Sequence, residues 1–409
     1  MSNNKNNTIC IISQYFPPDN TGDSIRLVKI VKILKKIGYN VIVVTAFPHY
    51  PFGIIPEKYK SKLIFREKWH DVDIIRTYVF PLAHEGLIKK VLTFCSFSAS
   101  AMLALFYIKE SKYVWSFSQK LFSYFTGIIF KFKLKASLLL DVVDIWPEAF
   151  VNAGIIKQSN KIIMKILKFL LNFSYNLADH LITLNPAMKR LLIHSTNLNP
   201  SKISILPNIT YPNKFKPIDN IKHAYINKFV VMYTGNLGIN YDFITLLKTA
   251  KMLKDYKEIR FVIKATGDQS LKSTILNYIK KNNLNNIHFE EKFLTTKQFT
   301  EFLNLADVFV LPLKKCVISD TSFPSKLMDY LSLEKPVIFS GDGYSAYLIK
   351  KYKLGVSIEA ENPQKLSRAI IDLKNNKDER KRMGKNAREV VFKLFSPRIL
   401  EMKIKQLLK

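Results

Sequence analysis

The sequence predicts an α/β fold made of two doubly wound, Rossmann-like domains. Short apolar runs alternate with amphipathic segments of helical period in both halves of the chain, which is typical of a parallel sheet covered by helices. The 409 residues exceed the usual size of one domain, and a stretch rich in proline and asparagine interrupts the pattern near its middle. We therefore expect a first domain over residues 1–205, a linker over 206–228, a second domain over 229–390 and a final helix over 391–409 that packs back toward the first domain.

Composition excludes several classes of protein. Apolar residues make up 48% of the chain, which is enough for a large core and argues against disorder. The three cysteines, Cys10, Cys95 and Cys316, stand far apart, so the sequence predicts neither a disulfide framework nor a zinc site. The polar amino end has no apolar segment of the kind found in secretion signals, and we expect a cytoplasmic protein.

The charge balance is strongly basic, with 63 Lys and Arg against 32 Asp and Glu and a formal net charge of +31. Such a charge attracts polyanions. No zinc-finger, basic-zipper or RNA-recognition signature is present, so no nucleic acid partner is expected, and an anionic membrane surface is the favoured partner. The alternative is a coding bias toward Lys, Asn and Ile that has no function.

The first domain opens with a β-α-β unit formed by a strand over residues 8–13, a helix that starts near Gly22, and a strand over residues 41–45. Gly22 either lets a ligand approach the first N–H groups of that helix or serves only the turn. One glycine is not the three-glycine dinucleotide fingerprint, and a nicotinamide cofactor is not expected.

Two loops of this domain carry candidate acceptor-binding groups. His49 lies in an aromatic, proline-rich loop over residues 47–53 and either binds a ligand or is merely exposed or capping. Asp144 and Glu148 follow an apolar strand over residues 137–143, and their carboxylates could meet an acceptor hydroxyl. The alternative for Asp144 is a capping role in the following turn.

Two segments suggest contact with a membrane surface. Residues 91–108 carry no charge, but Ser and Thr dilute their hydrophobicity, so we expect a buried or membrane-surface helix rather than a membrane span. Residues 161–173 form an amphipathic pattern in which three lysines flank an apolar face. The alternative for both segments is an ordinary core with a basic rim.

The second domain is organised around residues 322–337, where loop, helix and strand signals follow in quick succession. Ser322 is a candidate cap, Pro324 suits the first helical turn, and Pro336 stops the helix. Apolar strands over residues 308–313 and 337–339 flank it, which places the helix start at the carboxyl edge of a parallel sheet.

That helix start favours an anion. The partial positive charge of the helix end combines with the full charge of Lys326. Asp329 lies three residues later on the same helix face and could accept hydrogen bonds from sugar hydroxyls. We interpret the stretch as a nucleotide-sugar pocket with phosphate at the helix start and ribose one turn deeper.

Short motifs stand along the chain at residues 14–18, Gly22, residues 47–51, 144–148, 206–208, 235–238, 267–268, 306–307 and 324–337. In this order they resemble the motifs of retaining glycosyltransferases of family 4, and the match covers nearly the whole sequence. The branch that the chain most resembles is that of the bacterial L-fucosamine transferase-like enzymes of O-antigen (lipopolysaccharide) and capsule polysaccharide biosynthesis.

The resemblance implies the GT-B fold, with two Rossmann-like domains facing across a cleft. It implies a UDP-sugar donor held by the second domain, an acceptor held by the first, no metal and no cofactor, and retention of the anomeric configuration. The implied catalytic residues are Lys326, Asp144 and Glu148. Implied donor-binding residues are Gly235, Asn236, Gly238, Asn240, Gly267, Asp268, Thr321, Ser325, Lys326 and Asp329. Implied acceptor-binding residues are Gly22, Arg26, His49 and Asp144.

The chain departs from the family pattern in three places. Of the expected pair of acidic residues, Asp329 holds the second position and Thr321 the first, beside Asp320. Where the first loop of the donor domain carries Arg and Lys, this chain has Asn236 and Asn240, so that diphosphate binding depends more on Lys326. The His expected after the fourth strand of the first domain is replaced by the sequence Trp-Ser-Phe-Ser.

We therefore expect a peripheral enzyme on the inner face of the cytoplasmic membrane. It would transfer a sugar, such as an N-acetylated deoxyhexosamine, to a lipid-linked saccharide. Two alternatives stay open, a sugar-nucleotide epimerase of the same fold and a non-enzymatic polyanion-binding protein.

Overall fold

The computed structural model describes residues 7–82, 87–117, 121–144, 160–218, 225, 227–238, 240–315 and 321–409. The chain divides into two compact units. Unit 1 contains the chain up to Asn208 together with Leu400–Lys409, and unit 2 contains Ile209–Ile399.

Unit 1 contains an eight-stranded sheet in the order β3-β4-β2-β1-β5-β6-β7-β8. The pairings are parallel except for the antiparallel pair of β3 with β4. The central strand β1 is buried along its whole length, which explains its continuous apolar sequence. The strands are β1 Thr8–Ile12, β2 Asn40–Ala46, β3 Ile64–Trp69, β4 Val72–Thr77, β5 Tyr113–Phe117, β6 Ser137–Val142, β7 His180–Thr183 and β8 Ile203–Ile205.

The described helices of unit 1 begin at residues that suit helix starts. Thr21 accepts a hydrogen bond from the Ser24 N–H at the first helix, and Asn185 caps the fifth in the same way from Met188. The helices are α1 Gly22–Lys36, α2 Leu87–Ala101, α3 Leu121–Leu134, α4 Lys161–Leu177 and α5 Pro186–Thr196. Short 3-10 turns cover Glu57–Tyr59, Met102–Phe106 and Pro200–Lys202.

Unit 2 contains a six-stranded, fully parallel sheet in the order β11-β10-β9-β12-β13-β14. One continuous apolar core joins this sheet to the helices on both of its faces. The strands are β9 Phe229–Leu237, β10 Ile259–Gly267, β11 Ile287–Glu290, β12 Val308–Pro312, β13 Val337–Ser340 and β14 Gly355–Ile358. The helices are α6 Phe243–Met252, α7 Gln269–Lys281, α8 Thr296–Asn304, α9 Ser325–Ser332, α10 Gly343–Tyr352, α11 Pro363–Asn375, α12 Lys377–Leu394 and α13 Pro397–Leu407, the last of which continues into unit 1.

The strand predicted to end before Gly235 is longer than expected. It continues through the glycine to Leu237, and its neighbour β10 continues to Gly267. Gly235 and Gly267 adopt φ angles of +137° and +134°, which side-chain-bearing residues rarely adopt. Glycine therefore extends the ladder here instead of ending it, and the predicted loop over residues 235–238 is mostly strand.

Two other predicted segments differ in the structure. The uncharged segment 91–108 is not one helix, because α2 ends at Ala101 and a 3-10 turn follows over Met102–Phe106. The part of the predicted linker over residues 209–218 belongs to unit 2 and is anchored there. The Thr210 N–H donates to the Phe395 carbonyl at 2.9 Å, and the ring of Phe215 packs edge-on against Phe299.

Candidate active site

Helix α9 is the element on which the predicted donor site depends. It lies between the parallel strands β12 and β13, so that it begins after the carboxyl end of β12. Pro324 occupies the cap position and supplies no side-chain hydrogen bond. The predicted cap at Ser322 was wrong, because the helix begins only at Ser325, and the Ser322 carbonyl instead accepts a hydrogen bond from Ser345 Oγ at 2.8 Å.

Buried contacts fix this helix against the sheet. The Tyr330 hydroxyl donates to the Thr234 carbonyl and accepts from the Thr234 N–H, both at 2.8 Å. The Tyr330 ring stacks on Phe309 with centroids 3.9 Å apart. The side chain of Tyr330 therefore joins α9 to both β9 and β12, and this sets the position of the helix start.

Helix α12 holds the other end of α9. The Arg388 guanidinium donates to the Ser332 carbonyl in the last turn of α9 and forms a 3.3 Å ion pair with Glu334. A Cβ added at Gly384 would lie 2.0 Å from the Glu334 carbonyl oxygen. The close approach of the two helices therefore requires glycine at position 384.

Lys326 is held by two tyrosines at the start of α9. Its Nζ donates to the Tyr233 hydroxyl at 2.9 Å and lies 4.6 Å from the centroid of that ring. The ring of Tyr241 lies 4.1 Å from the same Nζ. Both distances are within the range of cation–π attraction. Sequence reasoning identified Lys326 but missed both tyrosines, for which spacing gave no signal.

Gly235 makes room for the lysine. A Cβ at this position would lie 2.2 Å from Lys326 Nζ and 2.7 Å from its Cε. The lysine side chain therefore runs directly against the backbone of β9 at Gly235, which was predicted as a donor-binding residue.

Burial controls the charge of the groups around Lys326. Burial lowers the pKa of Lys326 to about 7. Burial also raises the pKa of Tyr241 to about 12 and that of Tyr233 well above its usual value, so both phenols are neutral at pH 7. A phosphate group beside the lysine would supply the opposite charge that favours the ammonium form.

Other predicted donor-binding residues lie in α9 and in the loop before it, close to Lys326 in the sequence. Asp329 accepts a hydrogen bond from Thr210 Oγ1 at 2.9 Å, so one of its oxygens already has a partner within unit 2. Thr321 is buried and Ser325 is exposed. Asp320 lies outside the described residues.

The predicted donor-binding residues at the ends of β9 and β10 differ in exposure and in hydrogen bonding. Asn236 and Asn240 are both exposed at the carboxyl end of the sheet. The Gly238 carbonyl accepts from the Tyr241 N–H at 3.0 Å and so closes the turn that presents Tyr241. Asp268 caps helix α7 by accepting from the Leu271 N–H at 2.8 Å, which gives this carboxylate a structural role.

In unit 1, Arg26 is part of a buried ion pair. Its guanidinium donates to both carboxylate oxygens of Asp141, with the closest contact at 3.2 Å. It also donates to Asn208 Oδ1 at 3.1 Å and to the Leu206 carbonyl at 3.0 Å. These contacts give Arg26, which was predicted as an acceptor-binding residue, a structural role in joining α1 to β6 and to the chain after β8.

His49 is buried rather than exposed, within a polar cluster at the carboxyl ends of β1 and β2. Gln14 Nε2 lies 3.3 Å from His49 Nε2, and His49 Nδ1 lies 2.8 Å from the Phe47 carbonyl oxygen. An amide nitrogen only donates, so Nε2 accepts and Nδ1 carries the proton. The His49 ring also stacks on Tyr15 with centroids 5.6 Å apart.

Asp19 completes this cluster and was missed from the sequence. Its carboxylate accepts from the backbone N–H groups of His49 and Tyr50, both at 3.2 Å. Burial raises the pKa of Asp19 to about 6 despite these hydrogen bonds. Its position after two consecutive prolines indicated only a turn.

The other predicted residues of unit 1 are less informative. Gly22 begins α1, and a Cβ there would meet nothing within 4 Å, so packing does not require glycine. Asp144 is half-buried just after β6, whereas Glu148 lies outside the described residues. Among the described residues, no group of three or more His, Cys, Asp or Glu side chains could hold a metal ion.

Part of the chain matches known proteins in sequence. Residues 215–390 match the family model described as "Glycosyl transferases group 1". A stretch of 170 residues is 29% identical to an uncharacterized glycosyltransferase of Methanocaldococcus jannaschii, and it spans 40% of this chain and 46% of that relative. The aligned part is thus about half the length of the relative.

Solved structures resemble nearly the full length of the chain. Sucrose-phosphate synthase from Thermosynechococcus elongatus superposes with a TM-score of 0.76 at 16% identity, covering 98% of each chain. Anabaena HepE, solved in complex with UDP and glucose, gives a TM-score of 0.71 at 16% identity and covers 98% of this chain and 99% of its own. We conclude that the chain has the predicted GT-B fold of two α/β domains and that residues 215–390 match the glycosyl transferases group 1 model.

Proposed function

We propose that this protein is a retaining glycosyltransferase of family 4 that moves a hexosyl or N-acetylhexosaminyl group from a UDP-sugar to a lipid-linked saccharide. The observation that carries the proposal is Lys326, held by two tyrosines at the start of α9 within the group 1 domain. A half-buried lysine at a helix N-terminus is suited to a diphosphate.

The chemistry follows from the charge that develops during transfer. When the bond between the sugar and the diphosphate breaks, negative charge accumulates on the leaving oxygens. Lys326 and the N–H groups at the start of α9, which lack a side-chain cap, would stabilise that charge. The departing diphosphate then helps to remove the proton of the acceptor hydroxyl, as the resemblance to retaining enzymes implies, so no metal or cofactor is assigned a step.

UDP is the proposed nucleotide. The solved structures of Anabaena HepE include complexes with UDP and with UDP-glucose. Asp329 is the proposed ribose ligand, as it lies one turn after Lys326 on the same helix, and its carboxylate would accept from sugar hydroxyls as it now does from Thr210.

A lipid-linked acceptor is supported by the surface of α4. This helix exposes Ile162, Ile166 and Phe169, with 74%, 53% and 68% of each side chain accessible, and Lys161 and Lys165 lie beside them. Apolar groups next to lysines suit an anionic bilayer surface. We therefore propose that the enzyme acts on the inner face of the cytoplasmic membrane, in the assembly of O-antigen or capsule polysaccharide.

A second apolar segment lies in the same unit. By length and composition alone, Lys89–Phe106 is the one described segment apolar enough to cross a membrane, and 28% of it is buried. The 3-10 turn at Met102–Phe106 interrupts the helix within this stretch, so we keep the interpretation of a membrane-surface segment.

Turnover tests the proposed activity. Purified protein is incubated with a panel of UDP-sugars and a lipid-diphosphate-linked saccharide, and release of UDP is followed. We expect acceptor-dependent release, with Lys326→Ala reducing kcat/KM by about 100-fold because a charge-assisted contact is lost. Lys350→Ala, which removes an exposed lysine of the same unit, serves as the matched control.

Other outcomes identify the alternatives. Conversion of a UDP-sugar without any acceptor would indicate an epimerase of this fold. Salt-sensitive binding to polyanions without turnover of any donor would indicate a binding protein. Unchanged kinetics in a folded Lys326→Ala variant would contradict the role of this lysine.

A further inference from the structure

We propose that Tyr233 and Tyr241 are positioning residues for the donor, because they hold the Lys326 side chain in place for the diphosphate before the donor arrives. The inference rests on the proposed function and concerns how its central lysine is prepared. Neither tyrosine belongs to the predicted donor-binding set, and both act through the lysine.

The hydroxyl of Tyr233 has a fixed role. It donates its single hydrogen to the Asn236 carbonyl at 2.8 Å, which leaves only its lone pairs for Lys326 Nζ at 2.9 Å. The phenol can therefore accept from the lysine but not donate to it. Both the ammonium and the neutral amine can donate, so this hydrogen bond holds the lysine in either protonation state.

Tyr241 closes the other side of the lysine. Its backbone N–H donates to the Gly238 carbonyl at 3.0 Å, and the residue forms an antiparallel bridge with Leu313 at the end of β12. Its ring packs edge-on against Tyr233 with centroids 5.5 Å apart. The face of Tyr241 thus lies 4.1 Å from Nζ on a support that does not depend on Lys326.

This arrangement reduces the entropy lost on binding. A free lysine side chain loses rotamer entropy when it is immobilised. Here the fold has already restricted the side chain between Gly235, Tyr233 and Tyr241. Preorganisation of this kind increases affinity mainly by lowering the cost of ordering.

The phenols near Lys326 do not repel a phosphate. The titratable groups that face it in the described residues are the phenols of Tyr233 and Tyr241. The pKa of each phenol is raised by burial, so neither opposes a phosphate at neutral pH. Asp329 and Tyr330 follow on its own helix, and Asp329 Oδ1 accepts from Thr210.

The test is a set of variants that separates the ring from the hydroxyl. UDP binding is measured by calorimetry for Tyr241→Leu, Tyr241→Phe and Tyr233→Phe, and each is repeated in the Lys326→Ala background. Tyr241→Leu should weaken UDP binding about tenfold. Tyr241→Phe should restore it because the aromatic face is kept, and Tyr233→Phe should weaken binding because it loses the acceptor for Nζ.

Non-additivity distinguishes positioning from a general structural effect. If the tyrosines act through the lysine, Tyr241→Leu causes no further loss of affinity when Lys326 is already alanine. Tyr256→Leu, at a 40% exposed tyrosine of the same unit, is the control. Urea unfolding reports whether each variant is folded.

Three results would overturn the inference. They are full additivity of the losses, unchanged UDP affinity in Tyr241→Leu, and failure of Tyr241→Phe to restore binding in a folded protein. If wild-type protein binds no UDP, the proposed donor site fails and the positioning role fails with it. If wild-type binding is normal and the tyrosine variants behave like wild type, only the positioning role fails.

Discussion

Replacing Gly235 with alanine tests how the backbone of β9 and the lysine of α9 depend on each other. The new Cβ would lie 2.2 Å from Lys326 Nζ and 2.7 Å from Cε, far inside van der Waals contact. The obstructed atoms are the end of a flexible side chain, so the lysine moves rather than the strand. We expect the amine to leave its position between Tyr233 and Tyr241.

The substitution has two costs that different measurements separate. At a φ of +137° an L-residue is strained, and we expect a loss of about 1–3 kcal/mol in the free energy of unfolding. Displacement of Lys326 would also remove the proposed charge-assisted contact with phosphate, a kind of contact worth about 1.5–3 kcal/mol. That energy corresponds to a loss in UDP affinity of about 10- to 150-fold.

Gly341→Ala is the matched control for strain. Gly341 has a φ of +150°, and its Cβ would face the ring of Phe339 rather than the lysine. Urea unfolding should show destabilisation of both variants, whereas calorimetry should show weakened UDP binding only for Gly235→Ala. Wild-type UDP affinity in a folded Gly235→Ala protein would refute the reasoning, because donor binding would then not require the observed place of Lys326.

Three further predictions follow from the charges and exposed groups of the structure. Because burial lowers the pKa of Lys326 to about 7 and only its charged form attracts the diphosphate, UDP affinity should fall as pH rises above about 7, and a titration of Lys326→Ala should lack this fall. Asp19, whose pKa is raised to about 6, contributes stability that is fully present below its unfolded pKa near 4 and is lost as pH rises through about 6. The free energy of unfolding of wild type, measured in urea, should therefore fall by about 3 kcal/mol relative to that of Asp19→Asn between pH 4 and pH 7. Parallel pH profiles of the two free energies would contradict this. Phe169→Glu should lower the fraction of protein that sediments with vesicles of anionic lipid. Phe293→Glu, at a 90% exposed position in unit 2, should leave that fraction unchanged.

Much of the fold could be predicted because the signals are local. The continuous apolar sequence of β1 indicated a strand buried on both faces, and the alternation of such strands with amphipathic segments indicated parallel sheets. The helix that carries Lys326 was predictable between β12 and β13 for the same reason. Its first residue was not, because Ser322 is a suitable cap by type but the helix begins only at Ser325, with Pro324 at the cap position.

Contacts between distant residues account for what sequence reasoning missed. Arg26 and Asp141 are 115 residues apart, and only the packing of α1 against β6 joins them as a buried pair. Tyr233 precedes Lys326 by 93 positions, so no spacing rule could place its hydroxyl beside Nζ. His49 was expected in a loop, yet whether it was exposed or buried depended on Gln14 and Tyr15 from another loop.

By itself, the sequence determined the α/β class, the order of the main strands and helices, and a lysine at a helix start suited to phosphate. Only the tertiary structure decided that this lysine lies between two tyrosines against a glycine of positive φ, and that Arg26 is paired within unit 1. The physical reason is that periodicity and capping act over a few residues. The partners and burial of a charged group depend instead on chain segments brought together by the fold.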